Sequence, residues 1–310
     1  MKQLTGLDAS FLYAETPNAP MHISGLSIYD QSTAPGGKVR FKEIIRNTNN
    51  RLMGLPVMTQ KLLKVPLNFD HPYWVTDGAY DPEFHIRHIA LPKPGDWRQL
   101  CIVISRLHAR QLDRAHPLWE LYIIEGLDNV EGVPKGSFAM FSKTHHAAID
   151  GTSGMELTAA THDLTPDYTA APKTKTISVD TEPSSIELML RAQLNNIRKP
   201  FHFVSVARNT MPGMAKAVAG LSRGQLSRVR NVPRTRFNRT VSPHRVFNAM
   251  SVALDDVKKI KNSVAGATVN DAAITIVGGA LRKYLQFHEE LPAHSLAAMA
   301  PINIRSDKDT

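Results

Sequence analysis

Residues 137–151 read Ser-Phe-Ala-Met-Phe-Ser-Lys-Thr-His-His-Ala-Ala-Ile-Asp-Gly, and this stretch indicates both the architecture and the chemistry of the chain. Its first part is an apolar run that predicts a buried strand. The residues that follow it, from Thr152 to Ala160, predict a short helix. Two adjacent histidines therefore fall in a loop at a strand end, where a rigid scaffold holds side chains within reach of a substrate.

The histidine pair suggests one working side chain. Adjacent residues at a strand end point to opposite sides, so one histidine faces a cavity while the other turns into the protein. A neutral imidazole can take a proton from an alcohol that attacks a carbonyl and then return it to the leaving group. Asp150 either accepts a hydrogen bond from His146 or pairs with an arginine and holds the loop in shape. Gly151 leaves room for a substrate beside the backbone. The alternative is two ordinary histidines near a helix start.

Length and composition predict a globular protein without membrane spans. The chain has 310 residues with 42% apolar content, which supports one large domain or two modest ones. Its single cysteine, Cys101, excludes an internal disulfide and a thiolate metal cluster, and suits a reducing cytoplasm. Residues 1–13 lack the apolar core of a secretory signal. No apolar run approaches the length of a membrane span, so we expect any membrane contact to be peripheral.

The positive charge is concentrated in one segment. The formal net charge is +9, and residues 182–247 contain twelve Lys or Arg against two Glu. A basic excess confined to one segment favours a local anionic partner surface over a nucleic-acid-binding domain. The alternative is a solvated, flexible connector.

Periodicity and turn residues divide the chain into three segments, namely 1–164, a linker with a basic amphipathic helical segment over 165–247, and 248–310. The proline-punctuated stretch 56–94 is expected to wrap a core rather than form one. Thr268 is predicted to cap a helix, with Asp271 three residues later. Strands are predicted at 21–30, 73–75, 84–90, 118–124 and 296–304, and helices at 41–52, from 100 to a stop near Pro117, at 186–197, 211–221 and 254–264, and from 268 onward.

Several other chemistries lack their signatures. The chain contains no Gly-x-Ser-x-Gly turn, no Walker A sequence and no Gly-x-Gly-x-x-Gly sequence, so serine hydrolase and nucleotide-dependent chemistry are unsupported. His85 and His88 have a spacing that could bind a metal. No cysteine or carboxylate set beside them completes a site, so core or surface histidines are the favoured interpretation.

The pattern His-His-x-x-x-Asp-Gly over residues 145–151 resembles the hallmark of the bacterial wax ester synthase/acyl-CoA:diacylglycerol acyltransferases. Further stretches resemble the same family and occur in order along essentially the whole chain. They are Leu7-Asp-Ala-Ser-Phe11, Pro20-Met-His22, Phe84-His-Ile-Arg-His88, Ala90-Leu-Pro92, Leu112-Asp-Arg-Ala-His-Pro-Leu-Trp119, Ile124-Glu-Gly126, Val269-Asn-Asp271 and Pro301-Ile-Asn-Ile-Arg305.

The resemblance implies an α/β fold like that of chloramphenicol acetyltransferase, with two similar halves and an active site between them. It also implies that His146 is the general base that deprotonates the hydroxyl of diacylglycerol or a long-chain alcohol. The oxygen would attack the thioester of acyl-CoA without a covalent acyl-enzyme, giving triacylglycerol or wax ester. His145 and Asp150 would be mainly structural, and Gly151 would give room near the thioester.

The same resemblance implies structural roles for Pro117, Leu118, Trp119, Asn270 and Asp271. It implies no metal and no cofactor, because acyl-CoA is a substrate. It places the protein in the cytoplasm, with the basic segment on the inner membrane or a lipid droplet. No nucleic-acid partner is expected. The sequence identifies no substrate-binding residues and neither the acyl length nor the acceptor.

One departure from the family pattern concerns the C-terminus. Family members continue well beyond the strand that ends near Arg305, so the second half is expected to be incomplete here. The chain would then be a fragment, a truncated gene product or a protein that needs another chain, and weak activity is expected. The alternatives to ester synthesis are acyl-CoA-dependent condensation on another alcohol or amine, and a catalytically incompetent lipid-surface binding fragment.

Overall fold

We describe the protein from a computed structural model. The structure describes residues 1–149, 153–163, 165, 181–197 and 232–298. Asp150, Gly151, the predicted helix at 211–221 and most of the predicted strand at 296–304 therefore lie outside the described residues. By contacts, the chain divides into two units. They are Met1–Ala207 with Val241–Phe247, and Arg208–Thr240 with Asn248–Thr310. The boundaries near 164 and 247 stay a prediction.

The first unit is built on a four-stranded mixed sheet with the order β2-β7-β6-β5. Its strands are β2 (His22–Tyr29), β5 (Ile86–Ala90), β6 (Trp119–Glu125) and β7 (Phe138–His145). β7 pairs antiparallel with both β2 and β6, and β5 runs parallel to β6. The strand that carries the histidines is therefore central, as its continuous apolar sequence predicts.

A smaller antiparallel sheet lies in the same unit, with the order β1-β4-β3. Its strands are β1 (Lys2–Gln3), β3 (Gln60–Leu63) and β4 (Tyr73–Thr76). All four residues of β4 are buried. The expectation that 56–94 only wraps a core is wrong, because this stretch contributes buried apolar side chains to three separate clusters, among them Met58, Leu62, Val65, Trp74 and Ile86.

The helices of the first unit are α1 (Gly6–Ala14), α2 (Phe41–Leu52), α3 (Pro82–His85), α4 (Trp97–Ala109), α5 (Ser153–Thr161) and α6 (185–197). The prediction for 84–90 is wrong in its first part, because Asp81 caps α3 with proline at its first position. The predicted end of α4 near Pro117 is also wrong. α4 ends at Ala109, and the carbonyl of the next residue, Arg110, accepts a hydrogen bond from the Lys143 ammonium at 2.7 Å.

Helices cover both faces of the four-stranded sheet, and this sandwich forms the core. On one face, α4 packs through Leu100, Ile104 and Leu107 against Tyr122, Ile124, Ala139 and Phe141. On the other face, Leu52 of α2 packs with Met58, Leu121, Ile123 and Phe138. Burying each such aliphatic side chain contributes roughly 1.5–3 kcal/mol before the entropy of ordering is subtracted.

In the second unit, the described helices are α7 (Leu254–Asn262) and α8 (Val269–Phe287). The predicted cap of α8 is confirmed. The Thr268 side chain accepts from the backbone N–H of Asp271, and the Asp271 carboxylate accepts from the backbone N–H of Thr268. Arg236 pairs with Glu290 in this unit at 2.9 Å. The predicted strand at 296–304 is not supported over its described residues, since 296–298 have no strand pairing.

Candidate active site

The turn after β7 is held by backbone hydrogen bonds to both neighbouring segments. The N–H of His145 donates to the carbonyl of Leu118 at 3.0 Å, and the N–H of His146 donates to the carbonyl of Met21 at 2.9 Å. The register of the sheet places His22 opposite His145. The start of β6 and the start of β2 therefore fix the two histidines from opposite sides.

His145 is fully buried and faces into the protein. Its Nδ1 accepts a hydrogen bond from the backbone N–H of Ala147 at 3.0 Å, which assigns the proton of the neutral ring to Nε2. That Nε2 lies 3.7 Å from Oε1 of Glu15, long for a hydrogen bond but close enough for electrostatic attraction. These contacts tie the buried ring to the backbone of the turn and bring it close to the end of α1.

His146 is only partly buried, in contrast to His145. Its ring stacks on Phe11 of α1, with ring centroids 5.0 Å apart and planes 22° from parallel. Burial, and then the neighbouring His145, lower the pKa of the His146 imidazole below its ordinary value. A neutral, accessible and oriented imidazole is what a general base requires.

Glu15 has a buried carboxylate that binds several groups near the turn, and the sequence does not predict this role. Its side chain is 1% exposed. Oε1 accepts the backbone N–H of Met21 at 3.1 Å, and Oε2 accepts from Arg114 at 2.6 Å. Burial alone raises the pKa of the Glu15 carboxyl, but the nearby His145 ring and the hydrogen bonds from Arg114 and Met21 outweigh burial and lower the pKa to about 2. Glu15 is therefore ionised, and it joins α1 to the segments on both sides of the turn.

The sequence marks the positions of Glu15 and Arg114 only indirectly and does not indicate that they pair. Glu15 stands between Phe11 and Met21, and Arg114 stands just before Trp119, so both lie within or between family-like stretches. Their pairing links residues 99 positions apart, and no local pattern indicates it.

A second buried ion pair supports β7 just before the turn. The Lys143 side chain is fully buried, and its ammonium lies 3.2 Å from Oε2 of Glu120 on β6. Burial lowers the pKa of Lys143, while Glu120 opposes that shift. Arg87 of β5 lies 3.4 Å from the other oxygen of Glu120. The pair joins the three strands β5, β6 and β7 behind the histidines.

The Pro117-Leu118-Trp119 stretch lies directly beside the turn. Leu118 is fully buried, and its carbonyl accepts from His145 as described above. The indole N–H of Trp119 donates to the carbonyl of Met58 at 2.8 Å, and its ring stacks on His85 with centroids 4.6 Å apart. These side chains fix the start of β6. Asn270 and Asp271 lie in the first turn of α8, in the second unit.

The alternative metal pair does not converge. Nδ1 of the buried His85 forms a hydrogen bond with the carbonyl of Trp119, whereas His88 is more exposed and lies 3.3 Å from Glu125. Within the described ranges, no group of three or more His, Cys, Asp or Glu is arranged to hold a metal ion.

Comparison with known proteins relates this geometry to a family. The wax ester synthase/diacylglycerol acyltransferase catalytic domain matches residues 4–273. A putative diacylglycerol O-acyltransferase of Mycobacterium tuberculosis is 30% identical over 312 residues, covering 100% of this chain and 60% of that protein. A probable diacylglycerol O-acyltransferase of the same organism is 34% identical over 313 residues, covering 97% of this chain and 64% of that protein.

A solved structure of the same family has a similar fold. The wax ester synthase/diacylglycerol acyltransferase from Marinobacter aquaeolei is similar with a TM-score of 0.61 and 26% identity, over 94% of this chain and 62% of that chain. This chain thus spans between 60% and 64% of the length of these relatives. The predicted α/β acyltransferase fold is confirmed. From the family match over most of its length, the chain belongs to the wax ester synthase/diacylglycerol acyltransferase family.

Proposed function

We propose that the protein is an O-acyltransferase that moves a fatty acyl group from acyl-CoA to diacylglycerol, to a long-chain alcohol, or to both. The observation that carries the proposal is the contrast between the two histidines. His145 is buried and hydrogen-bonded at Nδ1, while His146 is accessible and aligned by Phe11 and by Met21. Family membership supports the substrate class.

In the proposed reaction, the acceptor hydroxyl gives its proton to the neutral imidazole of His146 as its oxygen attacks the thioester carbonyl. The carbon–sulfur bond then breaks, and the coenzyme A thiolate takes the proton from the imidazolium. This direct attack needs no nucleophilic side chain to carry the acyl group. Its single cysteine, Cys101, lies in α4, and burial raises the pKa of its thiol, which disfavours the reactive thiolate. His145 and Asp150 are proposed as supports of the turn, and Gly151 as space beside the thioester.

The test replaces the proposed base. We expect His146→Ala to lose ester formation from palmitoyl-CoA and dioleoylglycerol, measured by mass spectrometry of the products, while its thermal unfolding stays that of the wild type. His244→Ala, at an exposed histidine, serves as the matched control and keeps activity. Retained ester formation in His146→Ala would contradict the proposal. A panel of hexadecanol, dioleoylglycerol and hexadecylamine distinguishes ester synthesis from condensation on an amine.

We further propose that the protein works at a lipid surface from the cytoplasmic side. Of the helices in the described ranges, none has the length and apolarity needed to cross a bilayer. α6 carries an apolar row that faces solvent, although its other face is anchored by buried Leu188 and Ala192. The row consists of Ile186 (75% exposed), Leu190 (62%), Leu194 (57%) and Ile197 (61%).

Further apolar surface continues the row. The Asn196 side chain donates to the carbonyl of Phe69, which places the turn at 66–69 beside the end of α6. Leu67 in this turn has φ +55° and is 87% exposed, so its apolar side chain is presented to solvent from a strained backbone. Apolar rows beside basic sequence suit adsorption to anionic lipid.

Vesicle sedimentation tests the lipid surface. We expect the double variant Leu190→Glu with Leu194→Glu to lose binding to phosphatidylglycerol vesicles, and Gln193→Glu on the same helix to keep most of it. Equal sedimentation of the double variant and the wild type would rule out this row. Lipid binding without any turnover across the acceptor panel would favour the non-catalytic alternative, a lipid-surface binding protein.

A further inference from the structure

An open cavity of about 530 Å³ lies within the first unit, between the end of α1, the end of β3 and the segment 68–72. Its volume falls in the range of ligand sites, roughly 300–1,000 Å³. The buried side chains of Leu12 and Leu62 belong to its lining. No described residue of the histidine turn lines it, so this cavity is distinct from the proposed active site.

Two cations in the lining have donors to spare. The side chain of Lys64 is exposed, and its ammonium forms no ion pair with a residue in the described ranges. Arg114 uses Nε and Nη2 on the carboxylate of Glu15 and on the carbonyl of Leu12. Its Nη1 forms no hydrogen bond with any described residue. An anion in the cavity would therefore meet two cationic groups with free N–H donors.

The other polar groups of the lining also suit an anion. Asp70, the one carboxylate among the described lining residues, is buried and accepts from Asn195 at 3.0 Å and from the backbone N–H of His71 at 2.8 Å. The Tyr13 hydroxyl lies 3.2 Å from Nδ1 of His71. When this hydroxyl donates to Nδ1, the ring proton is on Nε2, which can donate to a ligand. Ammonium, guanidinium and imidazole donors around one cavity favour a phosphate group, whose oxygens accept several hydrogen bonds.

Exposed apolar side chains border the same cavity. Tyr13 and Phe69 line it and are both exposed. Next to Phe69, the backbone of Leu67 and Asn68 is left-handed, with φ of +55° and +54°. A leucine rarely adopts this conformation, and strained backbone of this kind is concentrated at functional sites. The turn thereby presents an apolar side chain to solvent beside the cationic cavity.

This combination matches the two parts of a phospholipid at a membrane surface. The phosphate lies at the level of the headgroups, and apolar or amphipathic side chains enter the boundary with the acyl chains next to it. A soluble phosphate ester would match the donors but not the exposed apolar border. The apolar row of α6 lies near the same turn, because Asn196 donates to the carbonyl of Phe69.

We propose that the cavity binds the phosphate headgroup of an anionic glycerophospholipid such as phosphatidylglycerol. The Lys64 ammonium, Nη1 of Arg114 and the His71 ring bind the phosphate oxygens. Leu67 and Phe69 enter the acyl boundary beside them. The inference rests on the proposed association with a lipid surface and adds to it a site that recognises one kind of headgroup.

Calorimetric titration with dihexanoylphosphatidylglycerol, below its micelle concentration, tests the site without vesicles. We expect Lys64→Met with His71→Phe, which removes donors and keeps side-chain bulk, to weaken binding about tenfold. Lys42→Met is the matched control, because Lys42 is an exposed lysine of the same unit that does not line the cavity. Thermal unfolding shows whether each variant is folded. Lys64→Glu, at an exposed side chain, gives the same test if the double variant is not folded. An unchanged dissociation constant in a folded variant would overturn the site.

A second ligand, sn-glycerol 3-phosphate, distinguishes a lipid headgroup from a free phosphate ester. We expect it to bind at least about tenfold more weakly than the short-chain lipid, because it lacks the acyl chains. Phe69→Ser should weaken binding of the short-chain lipid and leave binding of glycerol 3-phosphate unchanged. Equal affinities for the two ligands, or a Phe69→Ser variant that binds the lipid as the wild type does, would overturn the lipid assignment in favour of a soluble phosphate ester.

These measurements are independent of ester formation and of the α6 row. If Leu190→Glu with Leu194→Glu sediments with vesicles like the wild type, the row is ruled out, and binding of the short-chain lipid through Lys64 would still establish the headgroup site. Vesicle binding that needs the row, together with short-chain lipid binding that does not depend on Lys64, would keep the lipid surface and overturn the headgroup site.

Discussion

At the scale of single residues, the site depends on the different surroundings of two neighbouring imidazoles. His145 is fully buried and hydrogen-bonded at Nδ1, whereas His146 is only partly buried. The sequence predicts one enclosed and one accessible histidine, because neighbouring residues at a strand end face opposite ways. It does not predict Glu15, whose partner Arg114 becomes a neighbour only in the folded chain.

The proposed role of His146 predicts how ester formation depends on pH. Burial lowers the pKa of the imidazole, so the base stays neutral to a lower pH than a free histidine, whose pKa is about 6.5. We expect kcat/KM to be level around neutral pH and to fall only as the pH drops below that value. A profile of initial rates between about pH 4.5 and 8 checks this. An acid limb above the ordinary histidine pKa would contradict the assigned environment.

Glu15 should contribute stability that depends on pH. Its folded pKa of about 2 lies below its ordinary value of 4.5, so its contribution is present above the unfolded pKa and is lost as the pH falls through the folded one. We expect Glu15→Gln to lower the free energy of unfolding at pH 7 by on the order of 2–4 kcal/mol, with the difference shrinking toward pH 2. Urea unfolding at several pH values measures it. Glu131→Gln, at an exposed glutamate, should show little change.

At the scale of elements, local signals predict helix starts better than helix ends. The cap at Thr268 follows from its own sequence, since the partner is three residues away. The end of α4 does not, because the Arg110 carbonyl is taken by Lys143 from a strand far along the chain. The prediction that 56–94 only wraps a core is wrong because prolines that break regular elements do not prevent burial of Met58 or Trp74.

α6 provides a matched pair of leucines on one helix. Leu188 is buried against Val65 and Tyr73, whereas Leu190 is largely exposed. We expect Leu188→Ala to destabilise the first unit by about 2–4 kcal/mol, as for other buried leucines. Leu190→Ala should change stability by less than about 0.5 kcal/mol. Chemical denaturation of both variants gives the comparison, and equal effects would show that α6 is seated differently.

At the scale of the whole molecule, the charge of the chain resides almost entirely in residues 182–247, which carry a basic excess larger than the formal total of +9. The sequence shows this concentration directly. It does not show that the apolar row of α6 faces outward, because a helical apolar stripe is more commonly packed on its own protein.

Vesicle binding by the whole chain should therefore have two components. We expect binding to phosphatidylglycerol vesicles to fall strongly as salt is raised from about 0.05 M to about 0.5 M, because screening weakens the attraction of the basic segment. Some vesicle binding should persist at high salt, because the apolar row of α6 is not affected by screening. Neutral phosphatidylcholine vesicles, which lack the anionic attraction, should show only this residual binding at any salt. Binding that does not change with salt concentration would exclude a role for the basic segment.

The two backbone hydrogen bonds of the histidine turn have a further consequence. The N–H of His145 donates to the carbonyl of Leu118, before β6, and the N–H of His146 donates to the carbonyl of Met21, before β2. The backbone of the turn is therefore held against the starts of β2 and β6 at two consecutive residues. We therefore expect relatives that differ in acyl or acceptor preference to vary the residues around the turn and to keep the backbone of the proposed base in place.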